Sequence, residues 1–306
     1  MHIRARIAVS SLLLALAGCG GGSGGGPTAA TTSTASLQTL RLVNGLNPAM
    51  PVPTLAVRVG SEPYVTDAAG TLVCEVKSGA LISTSGAPAF IDRQTTYSGE
   101  NDFALWPLQG AWGSAYYREV VYDRPWAGGV GPLARPEPGV YTVSASPAIR
   151  LDPEAFAMID AGLSEVARIT RGAISFRWVE SDGDLTYEIS ATDPLIGNNW
   201  GVSALRMSGH SITGTRIIIR RPDVARLNVA IHETGHFLGL CHSPDPGDVM
   251  CVQSGRSYVT RRFGPGEESA WLMMAQRRPG NRYPDIDPGV AGSSAVSGTM
   301  VVRCGG

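Results

Sequence analysis

The sequence predicts an α+β protein: an α/β-type unit from residue 138 onward, preceded by a small β-rich region. Three observations predict this. Residues 36–137 hold short apolar runs broken by Gly and Pro, with no long helical period. Residues 152–170 carry the pattern of a capped amphipathic helix with strand-like runs on both sides. A second helical pattern, starting near Pro222 and ending near Gly239, follows four further strand-like runs. At 306 residues, 43% hydrophobic and 17% charged, the chain can fill two modest domains, or one large domain with tails. Its net charge of −1 gives no general attraction to nucleic acid.

In the β-rich region the runs are "TLAVRV", "TLVCEV", "ALIST" and "REVVY", each read as a strand. The stretch "RPWAGGVGPLARPEPG", residues 124–139, is rich in chain breakers and reads as the domain boundary. "VYTVSAS" is the next strand. In the helix that follows, Asp152 is the N-cap, Pro153 takes the first helical position, and Phe156, Ile159, Leu163, Val166 and Ile169 share one face. "ISFRWVE", "LTYEIS", "SALRMSG" and "TRIIIRR" are strands, and a strand–helix–strand order predicts a right-handed crossover.

The N-terminus reads as a secretion signal. "MHIRAR" is a basic start and "IAVSSLLLALAG" an apolar core too short for a membrane-spanning helix. It ends in "LAGC", which resembles a bacterial lipobox, so residues 1–18 would be removed and Cys19 lipidated. Ordinary secretion with cleavage nearby is the alternative. Residues 19–35 are a Gly/Ser/Thr tether without core-forming residues. An anchor with a tether describes a protein held at a membrane surface without crossing it. Gly20, in place of an acidic residue, favours the outer membrane over the inner, facing the periplasm or the exterior. Removing Cys19 from the five cysteines leaves Cys74, Cys241, Cys251 and Cys304, an even number in an oxidising compartment with three pairings open.

Residues 232–251, "HETGHFLGLCHSPDPGDVMC", concentrate three of the chain's five histidines. His232 and His236, four apart on a helix, lie on one face and can share a divalent cation, with zinc favoured by nitrogen ligands. Gly239 can take the left-handed conformation that ends a helix, which lets His242 return as a third ligand. Three protein ligands leave one position open, as in catalytic sites. Glu233 beside a zinc-bound water of lowered pKa can act as general base in amide hydrolysis. A chance match to HExxHxxGxxH in a chain of this composition is of order ~10⁻⁵.

Followed by a methionine at position 250, this stretch resembles the metzincin zinc metallopeptidases, and Ser243 after the third histidine is similar to what matrixins carry. The resemblance implies a catalytic domain over residues 138–290 with a twisted five-stranded mixed sheet, an active-site helix, a Met-turn at Met250 and a C-terminal helix at 266–276. It implies one catalytic zinc ion and a protein or peptide substrate, laid along the edge strand "SALRMSG". Residues 291–306 read as a flexible tail. Cys74 lies in "LVCEV", which departs from the matrixin cysteine-switch motif. Only His210 is left for a second zinc (His2 lies in the signal), so that site is not expected. Calcium is not assigned, because Asp182, Asp184 and Asp193 read equally well as turn residues. Cys241 neighbours a ligand and is discounted as one itself. A Cys241–Cys251 bridge around the third histidine is expected instead, leaving Cys74 with Cys304. Two other readings compete with the peptidase: a surface adhesion lipoprotein with an accessory metallo-domain, and a different metzincin branch. The intact set of three histidines and one glutamate favours the enzyme.

Overall fold

Residues 34–108, 114–124, 129–225, 228–251, 261–289 and 298–304 are described by a computed structural model. Cys19, expected to carry a lipid, the expected signal and nearly all of the expected tether lie outside them. Among the described residues no helix is long and apolar enough to cross a membrane.

The N-terminal strands obey the two-residue period of half-buried sheet, as in β5, where buried and exposed positions alternate. Strands β1 (Ser36–Asn44), β2 (Asn47–Pro51), β3 (Ala56–Val59), β4 (Glu62–Val65), β5 (Thr71–Val76), β6 (Leu81–Ser85), β7 (Gln94–Thr96) and β8 (Asp102–Leu105) form two four-stranded sheets. One has the order β2-β1-β5 with β8 parallel to β1, and the other is β4-β3-β6-β7. Leu40, Leu42, Val57, Val59, Leu72, Ile82 and Phe103 fill the layer between them.

"REVVY" is not the expected strand. Helix α1 (Ser114–Tyr117) leads into a π-helical turn, Arg118–Tyr122. Val120, Val121 and Tyr122 are all buried, so β-branched preference yields to tertiary burial. A small ribbon of β9 (Asp123–Arg124) and β10 (Gly129–Val130) follows. Tyr117, Val120, Val121, Tyr122 and Leu133 belong to the same core as the second half of the chain. Packing therefore continues through the expected boundary at residue 138.

From there a six-stranded sheet is built from β11 (Gly139–Ala145), β12 (Ile174–Trp178), β13 (Leu185–Ile189), β14 (Gly201–Ser208), β15 (Ser211–Ile219) and β16 (Gly298–Cys304). Its order is β12-β11-β13-β15-β14-β16. The first four strands in that order run parallel, whereas β14 is antiparallel to both of its neighbours. Five of these strands were expected. The sixth corrects the reading of residues 291–306 as a flexible tail: 298–304 pair with β14 along seven positions.

After the short helix α2 (Pro147–Arg150), helix α3 (Pro153–Ile169) starts where its cap predicts, with Asp152 accepting from the amides of Glu154 and Ala155, both at 3.1 Å. The second helical pattern divides into α4 (Pro222–Ala225) and α5 (Val229–Phe237). α6 (Pro265–Ala275) closes the unit. The N-terminal sandwich is joined to the segment after α6 by ladder-like bonds, Gln94 donating to Asp285 and Asp287 donating to Gln94, both at 2.9 Å, and by the Arg93–Asp287 ion pair at 3.0 Å.

Candidate metal centre

Helix α5 is buried from end to end. That explains why it lacks the polar stripe of a surface helix and why its polar residues must all be satisfied internally. His232 and Glu233 are adjacent on it, and His236 lies one turn on. The helix stops because Gly239 takes φ +86°, and a side chain there would come within 1.9 Å of the Ala134 carbonyl oxygen. Only glycine meets both demands. Beyond it, the Cys241 amide donates to the Val120 carbonyl at 2.8 Å, so the π-helical turn receives the returning chain.

This return brings the three imidazoles together. One ligand atom from each of His232, His236 and His242 lies within 4.8 Å of the others. Ring centroids are separated by 4.9, 5.0 and 5.4 Å. The Nδ1–H of His232 donates to the Val249 carbonyl at 2.7 Å, and that of His236 to the Leu240 carbonyl at 2.8 Å. A carbonyl can only accept, so Nδ1 holds the proton and Nε2 carries the lone pair a cation needs. Burial lowers the pKa of His232 to about 4 and that of His242 to about 3, with His232 adding to the effect on His242. Both rings are therefore neutral near pH 7, as metal ligands must be. The donor set fits one divalent cation of the zinc type.

The carboxylate of Glu233 is fully buried. Ser203 of β14 donates to its Oε2 at 2.7 Å, and the Glu233 carbonyl at 3.0 Å competes for the same proton. Gly201, two residues earlier on the same strand face, lies against Oε1: a Cβ at Gly201 would approach it to 2.3 Å. Neither residue is apparent from the site motif, because their role exists only once β14 is packed on α5.

Met250 packs under α5, and a Cβ at Gly235 would meet its sulfur at 2.3 Å. Its turn is tied at both ends. The Ser243 amide donates to the Met250 carbonyl at 2.9 Å, and the Met250 amide donates to Glu267 Oε1 at 2.6 Å. The other oxygen of Glu267 accepts from the Gly264 amide at 2.7 Å, at the start of α6. Burial, reinforced by the charge of Asp248, raises the Glu267 pKa to about 8 against these amide donors. Glu267 thus supports the turn whose Val249 carbonyl orients His232. Its pattern in the sequence marks a helix start and nothing more. Asp248 in turn accepts from Ser243 and from Tyr116, which ties α1 to the turn.

Other expected residues lie elsewhere. His210, between β14 and β15, packs over Gly280 and is not in the imidazole group. Asp184 accepts from the Thr142 amide and hydroxyl, both at 2.8 Å; Asp193 accepts from the Leu195 amide at 2.8 Å; Asp182 has φ +54°. All three serve as turn or strand-end residues. No disulfide is present among the described cysteines. Cys74 is a buried thiol in the core of the N-terminal sandwich, whereas Cys304 stands opposite Gly201 in the other sheet, so the expected Cys74–Cys304 linkage is not made. Cys251 faces Ser243 across an isolated bridge, near the turn that carries Cys241.

Among protein families, the matrixin peptidases match residues 182–259, from just before β13 to beyond Met250. This part of the chain is a matrixin-like metzincin. The match covers only part of the chain, and it contains all three histidines and Glu233. None of the curated proteins compared with the chain matches it. Matrixins are metallopeptidases, and the family implies zinc at the imidazole group and a protein or peptide substrate.

Proposed function

We propose that the chain is a zinc-dependent endopeptidase that works outside the cytoplasm, with Glu233 as general base. The observation that carries this is the packing of three imidazoles around one point, those of His232 and His236 anchored through Nδ1, with a buried carboxylate on the helix that bears these two. Zinc bound there supplies a Lewis acid that acidifies water and polarises a carbonyl. His232, His236 and His242 would hold it, and the Val249 and Leu240 carbonyls keep the rings of His232 and His236 aimed. Glu233, held by Ser203, takes a proton from the attacking water and returns it to the departing amine.

The test is zinc analysis combined with digestion of a generic peptide library. Wild type and Glu233→Gln should bind equal zinc, with cleavage lowered by about 10²- to 10⁴-fold in the variant. A variant that cleaves as fast as wild type overturns the role of Glu233. His236→Ala retaining stoichiometric zinc overturns the ligand set.

We further propose, from the lipobox-like "LAGC" sequence, that a lipid on Cys19 holds the protein at the cell envelope. Cys19→Ser should then move the chain from the membrane fraction to the soluble one. In that oxidising compartment Cys241 and Cys251 would close into a brace around His242, worth about 2–3 kcal/mol for a loop of this size. Non-reducing peptide mapping should find that pair, and recovery of both as alkylatable thiols overturns it.

A further inference from the structure

Strand β14 has two hydrogen-bonding edges, and both are taken. One pairs with β15; the other pairs with β16 from Gly201 opposite Cys304 to Met207 opposite Gly298. β14 is also the strand that holds Glu233, through Ser203 and Gly201. Val302 stands directly opposite Ser203. Residues opposed in an antiparallel pair project to the same face with Cβ atoms about 5 Å apart. Val302 is 1% exposed and belongs to the main core, and Met300 packs against that core as well. On the other face Val301 packs with Ile196, Val202 and Ile218. Residues 298–304 are therefore an extended heptapeptide, seated on both faces, running past the strand that positions the general base.

An endopeptidase needs its substrate extended. Pairing of the substrate main chain with a strand edge supplies affinity that tolerates many sequences. Without β16, β14 would be the outer strand, next to α5, with an open edge. A strand edge accepts one partner, so β16 and an extended substrate cannot share it. We propose that residues 298–304 are a built-in occupant of the substrate edge, an intramolecular competitive brake on the peptidase. The proposal rests on the peptidase reading above. A tethered strand is present at an effective concentration in roughly the millimolar range, so ordinary substrates compete poorly until it is displaced or removed. The segment "GTMVVRC" suits the role, with β-branched residues and no proline to interrupt the ladder.

The test uses the full chain in two forms. The first is Val302→Asp, which places an unpaired charge at a buried position and should expel the strand. The second carries a site-specific protease sequence within residues 290–297 and is assayed before and after nicking. Nicking and Val302→Asp should each raise kcat/KM on a quenched peptide at least about tenfold, chiefly through KM, because an edge competitor is lost. Synthetic peptide 298–304 added to the nicked enzyme should restore competitive inhibition. Labelled, it should bind nicked zinc-loaded Glu233→Gln protein by fluorescence anisotropy and not the intact form. Should Val302→Asp fail to fold, the nicked chain, folded before the cut, decides. Unchanged kcat/KM after nicking, whether the fragment stays or leaves, makes β16 a permanent strand and overturns the brake alone. If no form cleaves any peptide, the peptidase reading falls and the brake with it.

Discussion

Ser203 donates its hydroxyl to the buried Glu233 carboxylate. Replacing it with alanine removes one hydrogen bond to a charged group, worth about 1.5 kcal/mol. We expect Ser203→Ala to lower kcat by about tenfold. Zinc content and KM should stay unchanged, and Ser203→Thr, which keeps the hydroxyl, should recover most of the loss. Equal kcat in Ser203→Ala and wild type would remove Ser203 from a positioning role. Glu267 makes a different prediction. Its pKa in the fold, about 8, lies above its ordinary value of 4.5, so folding favours the protonated form. The stability it contributes is complete below pH 4.5 and is lost as the pH rises through about 8. The Tm of the zinc-saturated protein should fall over that window, and Glu267→Gln should flatten the slope. An unchanged slope in the variant assigns the pH dependence to other groups.

At the scale of elements, the site depends on how α5 ends and on what receives the chain after it. Gly239 combines a left-handed φ with a backbone carbonyl at its Cα, and neither can relax cheaply. Gly239→Ala should destabilise the protein by at least about 2 kcal/mol and weaken zinc binding, as measured by thermal unfolding with and without chelator. Retention of wild-type Tm and affinity would show that the turn relaxes. α5 itself was legible because its histidine spacing, glycine stop and methionine are local features of one continuous stretch. So was α3, whose cap and apolar face follow from Asp152, Pro153 and the recurrence of Ile159, Leu163 and Val166. "REVVY" was misread as a strand because three consecutive buried residues carry no period. β16 was missed because "GTMVVRC" follows a Gly/Ser/Ala-rich stretch, and its partner is a strand about a hundred residues earlier.

At the scale of the molecule, Tyr117, Val120, Val121, Tyr122 and Leu133 belong to the core of the second half of the chain, and the N-terminal sandwich is bonded to the segment that follows α6. Arg277 pairs bidentately with Asp285, both bonds at 2.7 Å and both residues almost fully buried, and Asn281 joins Asp285 to Asp287, which Arg93 of the sandwich neutralises. A chain cut to residues 138–290 would lose Tyr117, Val120, Val121, Tyr122 and Leu133 from its core and leave Asp287 without Arg93. It should fail to unfold cooperatively, whereas the chain from residue 34 should do so. A cooperative transition for 138–290 would restore the sequence-based boundary. Arg277→Met, which leaves Asp285 buried and uncompensated, should cost about 3–5 kcal/mol by denaturant unfolding.

Taken by itself, the sequence pointed to the kind of chemistry: the three candidate histidine ligands, the proposed general base, the helix stop and the Met-turn fall within nineteen consecutive residues, His232–Met250, where spacing alone brings side chains together. Only the tertiary structure decided what surrounds that chemistry. Ser203, Gly201 and Glu267 act through packing between separate elements outside that stretch, and such contacts leave no local period to read. The same is true of β16. Strand pairing is written in backbone hydrogen bonds that every residue type except proline can make in full, so a seven-residue segment becomes the sixth strand of a sheet with no motif to announce it.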